Sequence, residues 1–132
     1  MEQPAVAVLA DDLIWSTRLV DLVRAAGQRP ITVRSVPGLT AALPSVSAVI
    51  VDLTALAYDG IAAVEIANHD GHRVLCVGQH DDRELRSRAL AAGAERVYAY
   101  RALFERGPEV LTRWLNVGAA ARSVEQPPPD NG

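Results

Sequence analysis

Three aspartates carry the chemistry open to this sequence. Asp52 closes the β-branched run Val49-Ile50-Val51, and Asp11 and Asp12 follow the apolar run Val6-Ala7-Val8-Leu9-Ala10. Neither run alternates polar with apolar residues, so both read as strands buried on two faces. In open parallel α/β sheets, ligands sit at the carboxyl ends of the strands. If these two strands are central and parallel, three carboxylates meet at one edge of the sheet. Singly, each is an ordinary cap or turn residue. Together they repel, and a bound cation would relieve that repulsion. Asp59-Gly60, closing the loop after Asp52, reads as turn chemistry rather than as a ligand.

The rest of the chain must hold those strand ends in place. Trp15, Leu19, Leu22, Val23 and Ala26 recur on one face of a helix, which Gly27 stops. Pro30 introduces a short strand, Ile31 to Val33, and Pro37 to Leu43 fits a short helix ended by Pro44. Ile61 to Asn68 is a weakly amphipathic helix, and Arg73 to Gly78 a fourth strand. Asp81 is placed to cap the next helix, with Glu84 completing a capping box. Leu85, Ala89 and Ala92 line the inner side of that helix, and Gly93 ends it. Val97 to Tyr100 reads as a fifth strand. Gly107-Pro108 then opens the last helix with Pro at its first position, and Val110, Leu111, Trp114 and Leu115 form its buried face. Five alternations of strand and helix with right-handed crossovers predict an α/β fold, a doubly wound five-stranded parallel sheet with helices on both faces. The domain is expected over residues 1–118. Residues 119–132, with three consecutive prolines, read as a disordered Pro-rich tail.

Composition narrows the function. A chain of 132 residues, 49% hydrophobic and 22% charged, is long enough for one ordinary core. A net charge of -3 gives no basic footprint for nucleic acid. All 13 basic residues are arginine, and there is no lysine. The single cysteine, Cys76, lies in an apolar run and reads as a buried thiol, which suits a reducing compartment. No segment reaches the ~20 apolar residues that span a bilayer. A cytoplasmic protein with no membrane contact is expected. His69 and His72 flank a turn with Asp70, but their spacing fits no standard metal pattern, and His80 reads as a solvated corner residue.

From about Ala5 to Leu115, the joint order and spacing of these motifs resembles the receiver domains of two-component response regulators, whose fold is a flavodoxin-like (βα)5. The acid pair of that family falls on Asp11 and Asp12, and its phosphoacceptor on Asp52. Its loop Asp-Leu-x-x-Pro-x-x-Asp-Gly is met by Asp52 to Gly60, with Leu56 where Pro is usual. Ala91-Ala92-Gly93-Ala94 matches the turn before strand 5. The resemblance implies Mg2+ held by Asp11, Asp12 and Asp52, with the phosphoryl group aligned on Asp52. It also implies a hydroxyl after strand 4 and a lysine after strand 5, which bind the phosphoryl group and signal to helix 4, strand 5 and helix 5. Here the sequence departs. The hydroxyl position falls on Gly78 and the lysine position on Tyr100. A one-residue slip would instead place Arg101 there as a phosphate-binding cation, with Tyr98 at the family's switch-aromatic position. The ungapped register is preferred because Gly93-Ala94 anchors it, and a guanidinium is no simple replacement for an ammonium.

The acid-binding half is kept and the phosphoryl-reading half is lost, which is the pattern of a pseudo-receiver. The first reading is a stand-alone atypical receiver, not an enzyme, since no nucleophile–base pair can be assembled. It would act as a protein-interaction module with a Mg2+-capable acidic pocket and a degenerate phospho-switch. Its partner, a histidine kinase or another signalling protein, would dock on the helix 4, strand 5 and helix 5 face, where Arg83, Arg86 and Arg88 lie; a homodimer is compatible with that face. The second reading is a genuine aspartyl-phosphate acceptor in a phosphorelay, switching by another route through Arg101. A small-molecule-binding flavodoxin-like domain ranks last, because Asp11-Asp12 stands where a phosphate-binding glycine loop would be.

Overall fold

Five parallel strands form one sheet in the order β2-β1-β3-β4-β5 in a computed structural model that describes residues 5–79 and 81–125, from 117 onward as backbone only. The strands are β1 (Ala5–Leu9), β2 (Arg29–Val33), β3 (Ala48–Asp52), β4 (Arg73–Gly78) and β5 (Arg96–Ala99). The helices are α1 (Leu13–Ala25), α2 (Val36–Ala42), α3 (Gly60–His69), α4 (Arg83–Ala92) and α5 (Tyr100–Glu125), and a 3-10 turn (Leu43–Ser45) follows α2. β1 and β3 are central neighbours, registered Val6 to Ala48 through Leu9 to Val51. Asp52 pairs with Val77 of β4, so the expected strand ends do share one edge.

Each central strand is buried on both faces, as its unbroken apolar run requires. Ala7, Leu9, Val49, Val51, Val74 and Cys76 pack against Leu39, Ile61, Val64, Ala67 and Ala89 of α2, α3 and α4. Val6, Val8, Ile50, Leu75 and Val77 pack on the opposite face against Leu19, Leu22 and Val23 of α1 and Leu103, Leu111 and Trp114 of α5. Burial of each Val, Leu or Ile among them contributes about 1.5–3 kcal/mol. Burial also pushes the Cys76 thiol up to about 12, so it stays protonated and unreactive.

Several boundaries differ from the sequence reading, each for a local reason. Pro30 lies inside β2, which tolerates its missing N–H because β2 is an edge strand. The cap of α4 is Asp82 rather than Asp81, accepting from Leu85 N at 3.0 Å. Tyr100 is not the end of β5 but the first residue of α5. That helix breaks at Arg106 (φ -127°, ψ 21°), two residues before Pro108. Proline has no N–H and its ring crowds the carbonyl of residue i-4, so the expected helix start at Gly107-Pro108 is a kink between two helical segments. α5 runs to Glu125, past the expected boundary at 118, since Ala119-Ala120-Ala121-Arg122 are strong helix formers. His80 and residues 126–132 lie outside the described residues. No described helix is long and apolar enough to cross a membrane.

Candidate functional site

Asp52 ends β3 with only 1% of its surface exposed, so its carboxylate must be satisfied from within. The chain turns sharply at Leu53, and Thr54 donates its N–H (2.9 Å) and its hydroxyl (2.8 Å) to Asp52 Oδ1. This is an Asx-type turn, a local bond that short polar side chains make at strand ends. The third donor to Oδ1 is the hydroxyl of Tyr100, 46 residues further along than Thr54, whose Oγ1 lies 2.5 Å from it. Burial raises the Tyr100 phenol above its usual range, and the hydrogen bond to Asp52 adds to the shift, so this hydroxyl keeps its proton.

The Tyr100 ring stacks on Trp15 of α1 with centroids 4.2 Å apart. Trp15 in turn stacks on Phe104 at 5.0 Å. A second phenol closes the strand ends from the other side. Tyr58 Oη lies 2.6 Å from the Asp52 carbonyl and 3.0 Å from that of Leu9, joining β1 to β3. Burial, then the charges of Asp52 and Asp11, push its pKa up as well.

The remaining acids are engaged separately. Asp11 Oδ2 accepts from Ala57 N at 3.2 Å, tying the loop after β1 to the loop after β3. Asp12 caps α1, accepting from Trp15 N at 3.0 Å. Asp59 caps α3 through Ile61 N and Ala62 N, the turn role expected of it. Mg2+ is implied by the family resemblance, and carboxylate oxygens are its preferred ligands. As arranged, however, these residues do not fit it. Oδ1 of Asp52 already accepts from three donors, and no group of three His, Cys, Asp or Glu side chains among the described residues is gathered to hold a metal ion.

Arg101, the candidate phosphate-binding cation, follows Tyr100 on the first turn of α5. Its side chain is 89% exposed and pairs with Glu105 one turn along α5; Tyr100 takes the place beside Asp52. Val97 faces α4, and Tyr98 packs with the α1–α5 layer on the other face of the sheet. At Gly78 an added Cβ would lie 3.7 Å from Leu53, which is ordinary contact, so space does not require glycine there. His72 directs Nε2 at the carbonyls of Leu43 (2.7 Å) and Val46 (3.1 Å), a structural role consistent with the polar turn expected there. A groove of about 980 Å3 between α2, α3 and α4 has Leu43, Ile61, Glu65 and Arg88 in its lining but none of the three aspartates, so it is not this site.

Thr54, Tyr58 and the role of Trp15 escaped the sequence reading. Asp-x-Thr is a legible turn signal. Nothing local ties Tyr58 to two carbonyls or Trp15 to Tyr100, because both contacts depend on the crossover topology.

No protein-family model matches the chain, and no curated protein does. Solved structures do. NtrX from Brucella abortus superposes with a TM-score of 0.83 at 18% identity, over 95% of this chain and 29% of that one. This chain thus spans less than a third of that protein. The BeF3-activated DrrB receiver domain gives 0.75 at 17% identity, over 88% of this chain and 99% of that one. A response regulator protein from Burkholderia pseudomallei, with a phosphorylated aspartic acid, a calcium ion and citrate, gives 0.70 at 16% identity over 94% and 75%. The fold is that of response-regulator receiver domains, a five-stranded parallel sheet with helices on both faces.

Proposed function

We propose that this chain is an atypical receiver domain of two-component-type signalling that acts by binding a protein rather than by turning over a substrate, with Asp52 closed to phosphorylation at rest. The observation that carries the reading is the Tyr100 hydroxyl on Asp52 Oδ1, in the place where the resemblance puts a lysine. A phenol there donates one hydrogen bond to the free carboxylate and brings no positive charge to neutralise a phosphoryl group. Gly78 supplies no hydroxyl either. Mg2+ enters this reading only as something the closed pocket excludes. Output then rests on the surface of α4, β5 and α5, where Arg83 is exposed.

The test is reconstruction. Two-dimensional amide spectra of the chain with Mg2+ and beryllofluoride should show no shifts spreading to Val77–Gln79 and Val97–Arg101. The double variant Gly78→Ser/Tyr100→Lys, which restores hydroxyl and ammonium, should gain them. Spreading shifts in the unaltered chain would overturn the reading and restore a working aspartyl-phosphate switch.

A further inference from the structure

Tyr100 is held from two directions at once. Its hydroxyl lies on Asp52, while its ring lies against Trp15 with an interplanar angle of 25°. A tyrosine turns about only two side-chain bonds, so a ring free on one side could swing its hydroxyl out of the pocket. What blocks that swing comes from α1, not from α5. Phe104, one turn along α5 from Tyr100, sits 6.3 Å from it but 5.0 Å from Trp15, so it backs the indole more closely than the phenol. The Arg18 guanidinium lies 5.3 Å from the Trp15 ring and 5.6 Å from the Phe104 ring, within reach of a cation–π contact with both. The backbone of Trp15 is itself fixed, because its N–H is the one that Asp12 caps.

We infer that Trp15 is a positioning residue that keeps Tyr100 seated on Asp52, so that closure of the acidic pocket is controlled from the junction of α1 and α5. This rests on the reading above that Tyr100 closes the pocket. It adds that closure is a two-helix property, lost when the stack is loosened even though Tyr100 remains. The second acid of the pair acquires a role in the same device. Asp12 holds the start of α1, and with it the indole, at the height of the phenol.

The experiment has two arms, both on the full chain. In the first, the proton of the Tyr100 hydroxyl is followed by NMR, since a buried hydroxyl bonded to a carboxylate exchanges slowly enough to be seen. The signal should be present in the unaltered chain, lost in Trp15→Ala and retained in Trp15→Phe, which keeps an aromatic face. Should Trp15→Ala fail to fold, Trp15→Leu supplies bulk without that face and carries the same expectation. In the second arm, Mg2+ alone is titrated at millimolar concentration. Shifts at Asp52 and Thr54 should be absent from the unaltered chain and should appear in both Tyr100→Phe and Trp15→Ala. Their apparent affinities should lie within about threefold of each other, and the double variant should gain nothing further, as expected of residues acting as one unit. Survival of the hydroxyl signal in a folded Trp15→Ala would overturn the inference. A Tyr100→Phe variant that gains no Mg2+ response would instead overturn the reading of the pocket, and the hydroxyl signal would still decide the role of Trp15.

Discussion

Asp52 shows how far residue types alone can lead. Its place at a buried strand end, and the pairing of Asp11 with Asp12, were legible because chemistry in a parallel sheet gathers where an apolar run gives way to a carboxylate. What the carboxylate binds was not legible, since the donor arrives from Tyr100 and the support for that donor from Trp15. At the opposite end of the sheet another carboxylate is handled differently. Glu95 accepts from Arg73 Nη2 at 2.6 Å and from Trp114 Nε1 at 2.7 Å. Burial, the largest effect on Glu95, favours its neutral form. The hydrogen bonds from Arg73 and Trp114 together with the charges of Arg73 and Arg96 outweigh it, and the pKa falls below the ordinary 4.5. Because the folded-state pKa is depressed, the stability that Glu95 contributes is present above its unfolded-state pKa and is lost as pH falls through the folded-state value. Urea unfolding should therefore show Glu95→Gln less stable than the parent at pH 7, by about 1 kcal/mol or less given its exposure, with the difference vanishing well below pH 4.5. A difference that persisted in acid would mean that the loss is one of packing.

At the scale of elements, glycine stops were the most legible features and proline the most misleading. Gly93 ends α4 with φ +120°, and an added Cβ would collide with the Asn68 side chain. Both the backbone and the α3–α4 contact thus demand glycine there. Gly93→Ala should lower stability by about 1–3 kcal/mol, measured by denaturant unfolding; a neutral result would mean that the turn can be rebuilt. Gly107 is also crowded, with Leu22 Cδ2 2.5 Å from an added Cβ, but its φ is not positive and the neighbour is the end of a side chain, so the same substitution should cost less. Pro108, by contrast, signals the start of a helix, yet here it marks a break inside one. The segment from Tyr100 to Glu105 reads in sequence as a strand end followed by a loop. It is the segment that presents Tyr100 and Phe104 to α1, so the part of the chain least legible in sequence is the part that closes the pocket.

Over the whole molecule, the acidic residues gather at the carboxyl ends of the central strands, and the proposed partner surface lies at the β5 side of the same sheet. β5 is the last strand of the sheet, and Arg86 of α4 covers part of its open side by donating to the Val97 carbonyl at 2.6 Å. Of the α4 arginines expected on a partner face, Arg86 is thus committed within the chain and Arg88 lines the groove between α2, α3 and α4, leaving Arg83 exposed. Reversal of Arg83 to Glu should weaken a partner on this face and slow its association, most strongly at low salt. Binding whose rate and salt dependence are unchanged would place the partner elsewhere. The two tryptophans of the chain mark the two poles of this arrangement. Trp15 lies against the phenol that closes Asp52, while Trp114 is 6% exposed under the Arg73 guanidinium. The protein therefore carries a native fluorophore at each end of its sheet. With Trp114 replaced by Phe, the remaining tryptophan emission reports on the acidic edge alone, and with Trp15 replaced by Phe, which keeps the aromatic stack, on the opposite end alone, so changes at one pole can be timed against the other without attaching a label.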